Sequence, residues 1–367
     1  MPSKMTIRAA NLLAEAGRVP FLAGDVEVTP DWIRVAGRIR GEATGDWNDQ
    51  VAADRLAAKG GRLVRGTGRL TGPRQVTVGG RTFRARQGMV LATGTRPRIP
   101  PVPGLASTSY WTNRDAMPAR ELPVPMIVLG GGAIGVKLAQ VFARFRCTVT
   151  VVERQNRLLS QEEPEAGQLA DRVLWEDGVT VLTSTRVRQV GHDGTGFTIR
   201  LEGEQEPLRV ERVLVATGHR ADLAALGVDA AGLDPSARAV RTNGQMRAGE
   251  GLRAIGDVTG HGNFTHVSMY QADIAARDIL RTSVVPIASS TCGGIHGRGD
   301  EGFIKLIEDS DRGVLIGATS AGPAGGEVLY GLNVAVHAEI AVEHLRHMIY
   351  THPTFHRTVE AALGALR

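Results

Sequence analysis

Aromatic side chains make up only 4% of this 367-residue chain, and it has just two cysteines. Cys147 and Cys292 lie far apart and form neither a C-x-x-C pair nor a metal-ligand spacing. That excludes a disulfide framework and a zinc module, and makes a reducing cytoplasm the simplest home. Lysine is scarce too: Lys4, Lys59, Lys137 and Lys305 are the only lysines among 43 basic residues. The arginines are scattered, with no block of five or six, and read as solvated surface rather than a nucleic-acid patch. No run of 18 apolar residues occurs, so no transmembrane helix is expected. The opening Met-Pro-Ser-Lys-Met-Thr lacks an apolar h-region, so no signal peptide is expected either. No nucleophile elbow surrounds Ser107, Ser109, Ser289 or Ser290, which leaves hydrolase chemistry without support. Gly293-Gly294 and Gly325-Gly326 read as turns, because no Gly-Lys-Ser/Thr follows. His344 and His347 are three apart on a predicted helix, yet no cysteine or carboxylate pattern completes a metal site. His219 reads as a turn residue.

What the chain does have is glycine, 46 residues of it, in a background that is 42% hydrophobic and 22% charged. That composition suits a soluble α/β protein, and the length allows two or three domains. The most informative stretch is Val-Leu-Gly-Gly-Gly-Ala-Ile-Gly at 128–135, with Glu153 18 residues after its last glycine. Residues 126–129 read as a strand, 133–145 have helical periodicity, and 148–152 form a second β-branched strand. Gly130, Gly132 and Gly135 fit G-x-G-x-x-G. The first glycine allows a tight turn, the second lets backbone approach a pyrophosphate, and the third lets helix and strand pack closely. Ala133 and Ile134 open the helix, whose free N–H groups face the phosphates. Glu153 is placed to accept from a ribose 2′-OH and to repel a 2′-phosphate, which favours NADH. The nearby Arg154 and Arg157 soften that preference. A bare glycine pattern is weak evidence; with strand, helix, strand and terminal acid in place it is specific.

Before this unit, the sequence predicts a helix over 6–16, an irregular stretch over 18–47, and a helix capped by Asn48 or Asp49 that ends at Gly60-Gly61. Strands are expected at 63–70, 75–78, 81–86 and 89–92, the last running into Thr93-Gly94. Pro97, Pro100, Pro101 and Pro103 mark an extended crossing between domains. After the fingerprint come a helix at 162–175 and strands at 178–182, 186–190, 197–201 and 210–216. The last of these ends in Ala216-Thr217-Gly218, as the earlier strand ends in Ala92-Thr93-Gly94, which points to two related dinucleotide-binding halves. Farther on are a strand and Gly256-Asp257 turn at 252–260, a helix at 267–281, strands at 302–307 and 313–318, a long helix at 333–349, and a last helix at 357–366.

These blocks resemble the FAD-dependent pyridine nucleotide–disulfide oxidoreductases, the lipoamide dehydrogenase and mercuric reductase group. They come in that family's order: Ala92-Thr93-Gly94, the fingerprint at 130–135, Ala216-Thr217-Gly218-His219-Arg220, then Gly256-Asp257 followed by Phe264-Thr265-His266-Val267. His352-Pro353-Thr354 is a fifth, weaker match. The resemblance implies an α/β protein with two Rossmann-like dinucleotide-binding domains and a C-terminal α+β interface domain. The FAD-binding domain would comprise 1–120 and 245–282 and be incomplete, with the NAD-binding domain inserted at 121–244 and a dimerisation-like domain at 283–367. It assigns FAD to Thr93, Gly94, Gly256, Asp257, Thr265 and His266, with Asp257 on the ribityl chain. It assigns NADH to Gly130, Gly132, Gly135 and Glu153, and counts Ala133, Ile134 and Gly218 among the cofactor-binding residues. His352 would be the acid–base histidine delivered across a homodimer interface, and Lys4 the lysine near flavin N5.

Several departures shape the expected chemistry. Pro2-Ser3-Lys4 resembles the segment just beyond the family's C-x-x-x-x-C pair, and neither the pair nor a glycine loop for FAD is found. Cys147 reads as a core residue. Lys137 stands where relatives usually carry a glutamate that pairs with the lysine, so two cations meet and one is expected to lose its proton or move away. Arg357 stands where a glutamate would orient the tail histidine, and Glu360, one helical turn on, is the remaining candidate. The opening strands of the interface domain look absent near 280–286. The expectation is hydride transfer from NADH through FAD to a small electron acceptor, a quinone or oxygen, without dithiol chemistry. Two readings compete: an inert chain that only binds nicotinamide dinucleotide, and a plain NAD-dependent dehydrogenase, for which no Tyr-x-x-x-Lys is present.

Overall fold

The computed structural model describes residues 2–261, 265–280, 303–321, 325–351 and 356–366. Phe264, Cys292 and the His352-Pro353-Thr354 block lie outside the described residues, as does the 281–302 junction. The backbone of His266 is described, its side chain is not. The chain divides into two compact units, Met1–Arg55 with Pro97–His219, and Leu56–Arg96 with Arg220–Arg367.

The first unit is built on four parallel strands in the order Arg212–Val215, Met126–Leu129, Val149–Val152, Thr180–Leu182. The central strand Met126–Leu129 is apolar and buried throughout because both faces of the sheet are covered there. Met126, Val128, Val149, Val151 and Leu214 face the helix Ala133–Arg144, packing on Leu138, Ala139 and Phe142. Ile127, Leu129, Val152, Val213 and Val215 turn the other way, onto Val190, Phe197 and Ile199 of an antiparallel three-strand meander. The helix Pro2–Ala16 docks on the first face, where Arg144 donates to Asn11 at 2.7 Å and pairs with Asp177 at 3.0 Å. It starts at Pro2, four residues earlier than its apolar periodicity indicates; proline is well suited to a first helical turn. The 18–47 stretch is also more ordered than its composition implies. Asp31 caps the helix Trp32–Arg38 by accepting from Arg34 N–H at 3.2 Å, and Arg38 pairs with Glu42 along the following π-helical turn. Trp32 is buried edge-on against Phe142 and Phe145, at 5.7 and 5.3 Å between ring centres.

The second unit contains a three-strand sheet ordered Arg247–Gly249, Leu252–Ala254, Met89–Leu91, its last two strands parallel. A separate antiparallel sheet joins Gly68–Gly72, Gln75–Val78 and Arg81–Arg84. The expected strand at 63–70 begins only at Gly68. Leu70, Leu91, Leu252 and Val258 share one core. Farther along, the hairpin Phe303–Asp309 and Val314–Ala321 packs with the helices Gly325–His337, Val342–Arg346 and His356–Ala365 around Leu315, Leu332 and Leu363. The long helix expected at 333–349 is therefore broken. Glu339 takes φ +49°, Ile340 N–H reaches back to Ala335 O at 3.0 Å, and Val342 N–H is drawn to Gly313 O at 2.8 Å. This is a left-handed helix stop made without glycine, with Ile340 as its apolar latch against the core.

Candidate functional site

Parallel strands present the same end of each strand on one sheet edge, and in open α/β sheets that carboxyl edge binds ligands. In the first unit three strand ends meet there: the glycine loop after Met126–Leu129, Glu153 after Val149–Val152, and Ala216-Thr217-Gly218 after Arg212–Val215. Strand order reverses at Met126–Leu129, which has its sequence successor on one side and the last strand on the other.

Each glycine of the loop meets a different demand. Gly130 has φ +108°, and a Cβ there would sit 2.5 Å from Ala216 O. At Gly135 a Cβ would fall 1.9 Å from Gly130 O, so only glycine lets the helix come this close to the turn. Gly132 differs: its φ is −78°, and a Cβ built on it meets nothing within 4 Å. It is the N-cap of Ala133–Arg144. The N–H groups of the first turn, at Ala133 and Ile134, thus face an open side at the positive end of the helix dipole, an arrangement that suits a phosphate.

Glu153 is half-buried beside this loop. Its Oε2 accepts from Gly131 N–H at 2.6 Å and its Oε1 from Gln155 N–H at 2.7 Å. The carboxylate is therefore fixed on the loop itself. Gly218, with φ +108°, is also open, and the neighbouring Thr217 hydroxyl donates to Arg98 O at 2.7 Å.

The second unit repeats the theme with other chemistry. Met89–Leu91 and Leu252–Ala254 run parallel, so Thr93-Gly94 and Gly256-Asp257 emerge at one carboxyl edge. Gly94 has φ +65° and space around it; Thr93 is exposed and Asp257 half-buried. Gly256, at φ +72°, donates its N–H to the buried Gln271 Oε1 at 2.7 Å, and Thr259 closes the turn onto Gly256 O at 2.8 Å. Gln271 lies on the helix Thr265–Leu280, which ties that helix to the Gly-Asp turn. Sequence reasoning missed Gln271: a lone helical glutamine has no local signature. It also missed Leu158 and Leu159, which seat the glycine loop. Leu159 N–H donates to Gly131 O at 2.9 Å, and a Cβ on Gly131 would meet Leu158 Cδ2 at 2.5 Å.

Lys4 and Lys137 belong to first-unit helices that pack together, and their charges interact. Burial, and behind it the charge of Lys137, holds the Lys4 ammonium below the usual lysine range. Lys137 is exposed, so of the two, Lys4 bears the desolvation. Cys147 is buried and its Sγ donates to Pro123 O at 2.6 Å. Burial, with a smaller contribution from Glu211, pushes its thiol up to about 12. At the tail, Glu360 is paired with the buried Arg357, so its carboxylate is already engaged. No group of three or more His, Cys, Asp or Glu poised for a metal occurs among the described residues, where His347 instead contacts Glu343 O and Arg277. No described helix is long and apolar enough to cross a membrane.

Against known proteins, a family model described as pyridine nucleotide-disulphide oxidoreductase matches residues 21–272, and that family's dimerisation-domain model matches 267–363. A dihydrolipoyl dehydrogenase of Thermus scotoductus is 28% identical, over 88% of this chain and 80% of the relative. A dihydrolipoyl dehydrogenase of Chlorobaculum tepidum is 30% identical, over 76% of this chain and 69% of the relative. A mercuric reductase of Staphylococcus aureus is 24% identical, over 94% and 71% respectively. Among solved structures, the HOCl-induced flavoprotein disulfide reductase RclA of Escherichia coli has TM-score 0.66 at 19% identity, covering 98% of this chain and 90% of that one. At such identity it speaks for the fold alone.

Proposed function

Because the chain belongs to the pyridine nucleotide-disulphide oxidoreductase family, whose members depend on FAD and use NAD(P)H, we propose that it oxidises NADH through FAD and passes the electrons to a small acceptor without dithiol chemistry. The observation that carries this reading is the open Gly132 between two glycines that tolerate no Cβ. On this reading the Ala133 and Ile134 N–H groups bind the pyrophosphate, and the Glu153 carboxylate accepts from the adenosine ribose and disfavours a 2′-phosphate. Asp257 accepts from the ribityl hydroxyls, while Thr93, Gly94, Gly218, Gly256, Thr265 and His266 complete the two edges. When bound, NADH would supply a hydride and FAD would accept it. The chain's own part is to position both and to exclude water.

Cys147 supports the exclusion of dithiol chemistry, since its thiol stays protonated and its Sγ is bonded to Pro123. Cys292 stands 145 positions away in sequence. The roles of Lys4 and His352, the division into 1–120 with 245–282, 121–244 and 283–367, the homodimer through the C-terminal domain and a cytoplasmic setting belong to the same proposal. The test is spectroscopic. Purified protein supplied with FAD should show a flavin spectrum that NADH bleaches and a quinone or oxygen restores. A protein that binds NADH but shows no bleaching would reduce the chain to a nucleotide binder.

A further inference from the structure

Arg157 follows Glu153 by four residues, where an arginine invites assignment to the 2′-phosphate of NADPH. Its bonds point elsewhere. Nη1 donates to Leu159 O at 3.1 Å and Glu163 O at 3.4 Å, and Nη2 to Ser160 O at 3.2 Å and Glu162 O at 2.8 Å. One guanidinium thus gathers four carbonyls of the 159–163 loop, the connection leading into the helix Pro164–Glu176. A lysine has no fork with which to do this.

The gathered loop bears directly on the coenzyme edge. Leu159 N–H donates to Gly131 O at 2.9 Å, and Leu158, fully buried, occupies the space beside Gly131. Gly131 N–H in turn donates to Glu153 Oε2 at 2.6 Å. A continuous chain of contacts therefore runs from Arg157 through Leu158 and Leu159 to Gly131 and Glu153.

We infer that Arg157 is a positioning residue that fixes the glycine loop and its carboxylate for both nicotinamide coenzymes, and that it takes no part in choosing between NADH and NADPH. This rests on the coenzyme reading of the 130–135 loop. With its Nη donors committed to backbone, the guanidinium adds affinity by holding a shape, and the choice between coenzymes falls to Glu153.

Two measurements test it. Calorimetric titration of Arg157→Met and Arg157→Lys with NADH and with NADPH should show both dissociation constants raised by about tenfold in the methionine variant, the equivalent of one lost net hydrogen bond. Their ratio should stay that of the wild type, with the lysine variant recovering little. A changed ratio with unchanged NADH affinity would show that Arg157 reads the 2′-phosphate and would overturn the inference. Hydrogen exchange on the coenzyme-free protein is the second measurement. The Leu159 and Gly131 amides should lose protection in both variants, and unchanged protection refutes the clamp whatever the coenzymes do. Failure of the wild type itself to bind either coenzyme is a separate result, which sinks the coenzyme reading.

Discussion

Replacing Gly132 and Gly135 by alanine, one at a time, separates folding from binding within a single turn. At Gly135 the new methyl would be placed 1.9 Å from Gly130 O, a backbone atom that cannot swing aside. Either the helix Ala133–Arg144 lifts off the sheet or the turn opens, and both uncover Val128 and its neighbours. Overpacking of this kind costs about 1–3 kcal/mol, and a clash this short with backbone belongs at the upper end. In a unit of this size about 3 kcal/mol lowers the melting temperature by roughly 6–12 °C. At Gly132 the methyl meets nothing within 4 Å and the backbone is one that alanine adopts freely. The fold should lose at most about 1 kcal/mol, the cost of alanine in place of glycine at an N-cap. The methyl would nevertheless stand where a pyrophosphate has to approach the first-turn N–H groups. Losing about 1.4 kcal/mol there weakens NADH tenfold, and the loss should be at least that. Differential scanning calorimetry and NADH titration on both variants provide the readout. A Gly132→Ala protein that binds NADH as the wild type does would remove the pyrophosphate from this loop. A Gly135→Ala protein with an unshifted melting temperature would show the close packing to be unnecessary.

Three other perturbations follow from the same geometry. Since Lys4 binds its proton less firmly when folded, the unfolded chain holds more protons between that lowered value and the ordinary 10.5, and this contribution to stability rises with pH across the window. Lys137→Glu removes the repulsive part, so the variant should gain under about 1 kcal/mol, with the gain larger at pH 7 than above pH 10 and shrinking in salt; a gain independent of pH would refute the pairing. Cys147 should resist thiol reagents in the folded protein at pH 8 and react on unfolding, as peptide mass mapping would show; rapid native labelling would contradict its burial and its value of about 12. Glu153→Ala leaves the Gly131 and Gln155 N–H groups without their acceptor and should narrow the preference for NADH over NADPH, measured as the ratio of dissociation constants; an unchanged ratio would take specificity away from that carboxylate.

The parts legible in sequence are those in which one residue answers to one backbone demand. Gly130 and Gly135 announce themselves because nothing larger fits, and the strands Met126–Leu129 and Val149–Val152 because their apolar residues are buried. Signals fail where the cause is tertiary. The helix stop at Glu339 carries no glycine, so periodicity runs straight through it to a false helix at 333–349. The caps that order 18–47 depend on Asp31 and on Trp32 finding its slot between Phe142 and Phe145, more than 100 positions away. Gln271 acts on a backbone atom brought near by the fold, and no spacing rule finds such a partner.

The two carboxyl edges also differ in what they can hold. The first presents N–H donors at a helix start, which recognise an anion. The second presents the Asp257 carboxylate, an acceptor that recognises hydroxyl groups. Its Gly256 N–H is already given to Gln271. Met89–Leu91 runs through Thr93-Gly94 into the short strand Arg96–Pro97, not into a helix start like that at Ala133. Coenzyme should therefore bind at the first edge whether or not flavin is present. Turnover should depend on added FAD and saturate with it, while NADH binding followed by calorimetry stays the same with or without FAD. An NADH affinity that changes when FAD is added would refute the independence of the two edges.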